Sequence, residues 1–304
     1  MEAHARAAID IYDRILRYAE VEQYGSRYRL LRLGSCDFDF DVAQEFVSTV
    51  DGRNLVTVAD ALREVFTGSV AASLIVTIHP QRCYSFFSPL AATSDSDERK
   101  VRLQQEAALL AGTEVPLHIT ADAVHTQTLR SGEQMDWVHV LAIEERIFQR
   151  IDQVAKRLPP PRRRLMVAMH AAASTIGRLQ NQQVAEADRG PFILAIGWYA
   201  GHIEYTLCHG EQWYFSKHTD AVSPIDAVYF AAAMLFHLHV SPRQVRRLYV
   251  YGNAVDLSHF SDLETMFELE AQKLNPLEVL DLDPGSLDSD FEVEAYVGCI
   301  GAAL

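Results

Sequence analysis

Histidine is the residue type here with the widest choice of chemistry, because an imidazole binds metal ions and carries protons near neutral pH. The chain has 12 histidines. His202, His209 and His218 lie around one predicted hairpin, and His237 and His239 are two residues apart at a predicted helix end, where side chains do not share a face. No pair has the i, i+4 spacing of a helical zinc site, and no nearby cysteine completes a ligand set. The sequence therefore predicts no metal site.

Nucleophilic catalysis has no local signature either. A Gly-x-Ser-x-Gly elbow is absent from the sequence. The four cysteines, at 36, 83, 208 and 299, are far apart and form no Cys-x-x-Cys motif, so we interpret them as reduced core thiols. We therefore expect no catalytic residue.

The charge of the chain limits its partners. With 41 acidic and 27 basic residues, its formal net charge is −14, which repels nucleic-acid phosphates. A basic run at 162–164 is the local exception, and a solvated connection between two elements is its simpler interpretation. Residues 251–304 hold 12 acidic side chains and one lysine, a surface that suits a basic peptide or simple solubility. We expect no nucleic-acid binding.

Composition indicates a folded protein of about two domains of roughly 100–200 residues each, since 49% of its 304 residues are apolar. The longest nearly apolar stretch, around 227–236, is shorter than the roughly 18–20 residues that a membrane-spanning helix needs. The first residues lack the basic and apolar regions of a cleaved signal peptide. We expect a cytoplasmic protein without a membrane span.

Strand and helix patterns alternate along the first half. Residues 15–22 and 28–35 predict a hairpin around a Tyr-Gly-Ser turn, although a helical face over 7–18 is an alternative. An uninterrupted apolar run at 73–78 predicts a buried central strand. The other predicted elements are helices at 56–66, 98–110 (capped by Ser94 or Ser96), 144–158 and 171–183, and strands at 137–143 and 165–169.

The second half repeats this plan. A strand at 192–196 and a hairpin of 202–207 with 212–217 precede a helix that begins at Ser223-Pro224, where proline has no amide to leave unsatisfied. The other predicted elements are strands at 247–251 and 277–280 and helices at 263–274 and 291–303. A polar stretch at 180–190 separates the halves, so we predict an α/β protein with lobes at 1–183 and 191–304.

The order strand, hairpin, helix, strand, helix occurs twice in the chain. This repeat resembles the actin-like superfamily of ATPases, which includes actin, heat-shock chaperones and sugar kinases. Residues 8–11 (Ala-Ile-Asp-Ile), followed by Arg17 and Glu20, are similar to the first phosphate-binding strand of the PilM-like proteins of type IV pilus assembly. Residues 192–197 stand where that family has a strand ending in Asp-x-Gly. Residues 238–252 resemble its helix end, Ser-Pro, following strand and glycine-rich adenosine loop.

The end of the chain extends the resemblance, because 277–281 and 291–304 are similar to the last strand and helix of the PilM-like family. An uncharacterised bacterial family of actin-like fold resembles the second half about equally well. The resemblance implies two ribonuclease H-like lobes, each a mixed five-stranded sheet flanked by helices. It also implies a small α+β insertion in the first lobe, at about 82–136.

The sequence departs from the family where phosphates would be held. Tyr12-Asp13-Arg14-Ile15 stands where glycine and small hydroxyl residues are expected, Ala195 replaces an aspartate, and the bulky Trp198-Tyr199 follows Gly197. Close approach to phosphates requires small residues, and magnesium requires acidic ones. We therefore expect no nucleotide hydrolysis and no cofactor. Under the alternative, in which ATP and magnesium are bound, the resemblance implies contacts from Asp10, Asp13, Gly197 and Gly252.

The resemblance implies a non-catalytic scaffold or adapter in pilus or secretion-system assembly that binds a peptide or the cytoplasmic tail of an inner-membrane protein. The insertion would contribute to the groove, with Phe86, Phe87 and Leu90 among its residues. Six aromatic residues between positions 198 and 215 either belong to the core or line a peptide groove. The set is Trp198, Tyr199, Tyr205, Trp213, Tyr214 and Phe215.

Two other functions stay open. One is a divergent ATPase or kinase that still binds ATP and magnesium between its lobes. The other is a relic of the fold whose role is to form a homo-oligomer.

Overall fold

Two five-stranded sheets form the framework of the protein. The computed structural model describes residues 4–48, 52–129, 131–182, 190–220, 222–282 and 291–304. The first half contains β1 (His4–Tyr12), β2 (Ile15–Tyr24), β3 (Arg27–Asp37), α1 (Val42–Val47), α2 (Arg53–Val65), β4 (Ser73–Ile78), β5 (Tyr84–Ala91), α3 (Ser96–Ala111), β6 (Leu117–Thr128), β7 (Gln134–Glu144), α4 (Glu145–Ala155), β8 (Arg162–Val167) and α5 (Ala168–Gln182). The second half contains β9 (Phe192–Tyr199), β10 (His202–His209), β11 (Gln212–Thr219), α6 (Pro224–His237), β12 (Val245–Gly252), α7 (Ser261–Phe267), β13 (Ala271–Lys273) and α8 (Val297–Ala303).

The two sheets have equivalent strand orders. The first is β3-β2-β1-β4-β8 and the second is β11-β10-β9-β12-β13. In each sheet the first three strands in sequence form an antiparallel meander, and the next two strands run parallel to its first strand. The predicted α/β architecture of two mixed five-stranded sheets is confirmed, as are both hairpins and the central strand at 73–78.

Successive side chains of β1 point to opposite faces of the first sheet, and each face is covered by a different core. Ile9 and Ile11 lie in a core with residues of α2 and α4, such as Leu62 and Ile151. The intervening residues of β1 therefore point to the opposite face of the sheet, toward the second lobe. Ala8 lies in the core on that face, together with α5 and α8.

Helices α5 and α8 lie between the two sheets and form the core that the lobes share. This core includes Ala19 of the first sheet and Ala195 and Tyr251 of the second. Close packing of the two helices depends on Gly301, because a Cβ there would lie 2.1 Å from the carbonyl oxygen of Ala171. The side chain of Ala195 is fully buried in this core.

The insertion consists of a three-stranded sheet, ordered β5-β7-β6, with α3 on one face. Its other face packs on β11 through aromatic contacts. Phe87 stacks on Phe215 with a ring distance of 4.9 Å, and His139 lies 4.5 Å from the ring of Trp213. Three members of the sequence-derived aromatic set, Trp213, Tyr214 and Phe215, therefore attach the insertion to the second lobe.

Several predicted elements of the first half differ from the structure. Strands β5 and β6 were not predicted, because their mixed polar and apolar residues adopt strand structure through pairing with β7. The helix predicted at 98–110 begins at Ser96, and its cap is Asp95 rather than Ser94 or Ser96. The basic run at 162–164 is not a connection, because it forms the exposed start of β8.

In the second half, the helix predicted at 263–274 ends at Phe267, where Glu268 adopts a left-handed conformation, and Ala271–Lys273 forms the edge strand β13. The strand predicted at 277–280 is wrong. Proline at the first position and the Asn275 cap on Leu277 favour the 3-10 turn that is present at Pro276–Val279. The closing helix is α-helical only from Val297.

Residues 183–189 of the predicted boundary at 180–190 lie outside the described residues, so the two domain limits stay predictions. Among the described helices, none combines the length and the apolar character that crossing a bilayer requires.

The insertion interface contains a buried histidine that should make the fold sensitive to acid. His139 is 2% exposed, and Ser85 Oγ lies 2.7 Å from its Nε2. Burial, assisted by the neighbouring His170, lowers the pKa of His139 from 6.5 to about 3. Between these values the unfolded chain binds a proton that the folded chain does not, so stability falls as the pH drops from 6.5 toward 3.

When the pH falls from 6.5 to 4.5, the free energy of unfolding should decrease more in wild type than in His139→Gln. We expect the difference between the two decreases to be about 2–3 kcal/mol. Urea denaturation at several pH values in this range measures the free energy of unfolding. The change of this free energy with pH is compared, not its value at one pH. The exposed His237→Gln is the control and should keep the wild-type dependence. Equal dependence in His139→Gln and wild type would contradict the prediction.

Candidate functional site

Asp10 and Asp13, the two acidic residues singled out from the sequence, have different environments. Asp13 is exposed in the turn between β1 and β2, where its φ of 52° is left-handed. Asp10 is 1% exposed and points from β1 toward α8. A Cβ at Gly298 would lie 2.5 Å from Cγ of Asp10, so the helix leaves space for this carboxylate only because residue 298 is glycine.

Asp10 belongs to a buried group of five polar side chains, which we name the interlobe cluster: Asp10, His79, His202, Glu204 and Tyr251. His79 Nε2 lies 3.1 Å from Asp10 Oδ1, and its Nδ1 lies 3.0 Å from Glu204 Oε1. His202 Nε2 also lies 3.0 Å from Glu204 Oε1, and the Tyr251 hydroxyl donates to Glu204 Oε2 at 2.7 Å. The first lobe supplies Asp10 and His79, and the second supplies the other three.

Strand register brings these side chains together. Asp10 is paired with Thr77 in the parallel β1–β4 ladder, and His79 follows two residues later on the same face. In the second sheet, Gly197 of β9 is paired with Glu204 on one side and with Tyr251 on the other. The three residues share one face of three adjacent strands.

Gly197 and Gly252, the two sequence-derived nucleotide contacts, make room for groups of the protein itself. A Cβ at Gly197 would lie 2.7 Å from the Tyr251 ring, which crosses β9 to reach Glu204 on β10. Gly252 has a φ of 116°, and a Cβ there would lie 2.2 Å from the carbonyl oxygen of Trp198. Both positions require glycine without any bound ligand.

The electrostatics of the cluster favour ion pairs. Burial by itself would lower the pKa of His79, but the charge of Asp10 and hydrogen bonds to Asp10 and Glu204 outweigh it and raise the pKa from 6.5 to about 9. Burial would likewise raise the pKa of Glu204, whereas hydrogen bonds from His202 and His79 hold it well below its ordinary value. Glu204 is therefore ionised, and His79 can be an imidazolium between two carboxylates.

Aromatic rings cover the cluster. The rings of Tyr12 and Tyr199 lie 4.9 Å apart, and Tyr199 stacks on His202 at 4.8 Å. Trp198, the other bulky residue that follows Gly197, does not cover the cluster. Adjacent residues of a strand point to opposite faces, and Trp198 packs against Phe260 on the outer side of the second sheet, at 5.3 Å.

Sequence reasoning missed His79, Glu204 and Tyr251. It considered His202 only with His209 and His218 around the hairpin and rejected a metal site because no pair of histidines has helical spacing. This prediction did not consider ligands on strands. One signal was present: residues two apart on a strand share a face, so His202 and Glu204 were candidates for a joint site. The others come from strands that only tertiary structure makes neighbours. The ligand atoms of His79, His202 and Glu204 lie within 4.8 Å of one another, an arrangement that can hold a metal ion.

A second feature is a groove of about 630 Å³ in the insertion, between α3 and its sheet. Leu90, Leu103, Ile119 and Val138 supply apolar surface, and the small Ala121 and Ala123 on β6 are exposed facing it. The polar side chains along it are Ser96, Arg99, Lys100, Gln104, His118 and Glu145.

The residues expected from sequence to line a groove divide between the two faces of β5. Leu90 lines the groove, and Phe86 packs in the small core beside it. Phe87 is on the opposite face, against the second lobe.

The fold is shared with solved actin-like structures. A chain of a PilM–PilN type IV pilus biogenesis complex superimposes with a TM-score of 0.72 at 12% sequence identity, over 98% of this chain and 97% of that chain. A Bacteroides thetaiotaomicron protein with an actin-like ATPase fold and unknown function gives a TM-score of 0.51 at 10% identity, over 97% and 96%. No protein-family model and no curated protein matches the sequence. The predicted actin-like fold, similar to that of PilM, is confirmed.

The hydrogen bond from Tyr251 to Glu204 should contribute measurably to stability. We expect Tyr251→Phe to lower the free energy of unfolding by about 1.5–3 kcal/mol, since it leaves an oxygen of a buried carboxylate without its donor. Urea denaturation at neutral pH measures the change. The matched control is Tyr229→Phe, which removes an exposed hydroxyl on α6 and should change stability by less than about 0.5 kcal/mol. Equal effects of the two substitutions would show that the bond adds nothing.

Proposed function

We propose that this protein is a non-catalytic actin-like adapter that binds an apolar peptide segment of a partner in the groove between α3 and the insertion sheet. The observation that carries the proposal is this open, partly apolar groove, in a chain whose own side chains occupy the space between the lobes. The fold likeness to a chain of a PilM–PilN complex supports a partner of PilN type and a role in pilus or secretion-system assembly.

The residues between the lobes do not fit the nucleotide and magnesium that the actin-like fold implies. The carboxylate of Asp10 is buried and bonded to His79. Gly197 is covered by the Tyr251 ring, and Tyr12 lies against Tyr199. A triphosphate would have to displace these groups and leave buried charges unpaired, which costs several kcal/mol. This conflict supports a protein that does not hydrolyse ATP.

The shape and lining of the groove favour a peptide over a small polar ligand. Side chains spaced along one face of α3, from Ser96 to Gln104, line one wall. The opposite wall is the face of the sheet, where Ala121 and Ala123 leave the helix without a large partner. Apolar side chains of an extended or helical segment would replace water there, and Lys100 and Glu145 would contact its polar groups.

Isothermal titration with ATP and magnesium tests the absence of nucleotide binding. We expect no heat of binding and no phosphate release, because Tyr12 and Tyr199 pack against each other in the space between the lobes, where the resemblance would place the phosphates. Micromolar binding with slow turnover would contradict the proposal and favour a divergent ATPase.

Peptide capture tests the groove. We expect a phage-displayed peptide library to yield apolar sequences that bind the full chain, and Ile119→Glu to weaken the binding of synthetic copies at least tenfold, or about 1.4 kcal/mol. The physical reason is that the new carboxylate would have to lose water against apolar groups. Fluorescence anisotropy with labelled peptides measures affinity.

Val101→Glu is the matched control, because it introduces the same charge on α3 at a side chain that is 51% exposed and outside the groove. It should leave affinity unchanged. Failure to enrich any peptide, or equal weakening by the two variants, would count against the groove as the docking site.

A further inference from the structure

Three possible ligand atoms of the interlobe cluster converge on one point between the lobes. Nδ1 of His79 and Nε2 of His202 both lie 3.0 Å from the same oxygen, Oε1 of Glu204. Neighbouring ligands of a tetrahedral zinc ion are about 3.3 Å apart, given metal–ligand bonds of about 2.0–2.1 Å. Small movements of these side chains would therefore admit a cation. Two imidazoles and one carboxylate form a donor set that suits zinc.

The groups behind these ligands hold them in the orientation that metal binding needs. Asp10 accepts a hydrogen bond from Nε2 of His79, so Nδ1 faces Glu204 and a bound metal ion would replace the proton on Nδ1. Tyr251 donates to Oε2 of Glu204, which leaves Oε1 to face the two imidazoles. Carboxylate–histidine pairs and hydrogen-bonded ligand carboxylates are usual around metal sites, because they fix the tautomer and the direction of the lone pair.

The other nitrogen of His202 has its own requirement. The side chain is fully buried, and Nδ1, which is not the nitrogen that faces Glu204, has no hydrogen-bond partner among the described residues. A buried water molecule beside Nδ1 would satisfy it, while Nε2 is the nitrogen available to a metal ion.

A cavity lies next to the cluster, although no cluster residue lines it. This cavity of about 560 Å³ is lined by Pro80 and Gln81, which directly follow His79, and by His218, the register partner of Glu204. Gln81 also donates a hydrogen bond to the carbonyl of Gly201 at the rim between the lobes. Side-chain movement at this rim would open the cluster to an ion from solvent.

We propose that His79, His202 and Glu204 bind one zinc-like divalent ion that links the two lobes. Asp10 and Tyr251 are positioning residues, which act through His79 and Glu204. The ion joins a ligand of the first lobe to two ligands of the second, so it stabilises the arrangement of the lobes. A water molecule would complete four-coordination in place of the fourth protein ligand that structural zinc sites usually have. We assign the ion a structural role because the aromatic rings of Tyr12 and Tyr199 cover the cluster.

The experiment uses the full chain without a polyhistidine tag, stripped with a chelator and titrated with Zn²⁺ and with Co²⁺. We expect one equivalent of each metal to bind, Co²⁺ to give the visible absorption bands of a four-coordinate ion, and Zn²⁺ to raise Tm. His202→Gln should abolish the bands and the rise in Tm. His237→Gln, which removes an exposed histidine, should preserve both. Substoichiometric binding, or unchanged binding by His202→Gln, would overturn the proposal.

Tyr251→Phe keeps the test decisive if His202→Gln does not fold. It retains every ligand and should weaken Zn²⁺ affinity 10–100-fold, as loss of a group that orients a ligand does. Unchanged affinity in this variant would overturn the positioning role, and with it the arrangement proposed. The proposal is separate from peptide binding, because the groove residues are not part of the cluster and their variants should bind metal normally.

Discussion

The carboxylates of Asp10 and Glu204 are buried between the lobes, and the surrounding structure depends on keeping them paired. A charge taken out of water is tolerated only where counter-charges and hydrogen bonds replace its hydration. His79 contacts both carboxylates, and Tyr251 contacts the second oxygen of Glu204. The pairing includes one carboxylate from each sheet, so it is complete only when the two lobes hold their present positions.

The small residues near the cluster follow from the same requirement. Gly298 gives Asp10 space under α8, and Gly197 lets the Tyr251 ring cross its strand. These glycines let the protein's own groups approach the buried carboxylates closely. The space between the lobes is thereby occupied by side chains of the protein itself.

Because the central space is occupied, we propose that the ligand binds at the insertion instead. The insertion sheet is attached to the second lobe by Phe87 and His139 on one face, and its other face carries the groove. A docking surface on a sheet that is held in this way needs little ordering when a partner binds, which favours affinity. The contacts of the insertion with the second lobe and the hydrogen bonds of the interlobe cluster both connect the two lobes. Both therefore constrain the position of one lobe relative to the other.

The sequence by itself determined the features with strong local signals. Turn residues and apolar runs were sufficient for both hairpins and the strand at 73–78, because they act over a few residues. The repeated order of strands and helices was sufficient to predict the actin-like fold. Asp10 was identified as a candidate site residue. Only tertiary structure decided β5, β6 and β13, whose strand form depends on their neighbours. It also decided the site, because His79, Glu204 and Tyr251 lie on or next to three separate strands and meet only through strand register and lobe packing.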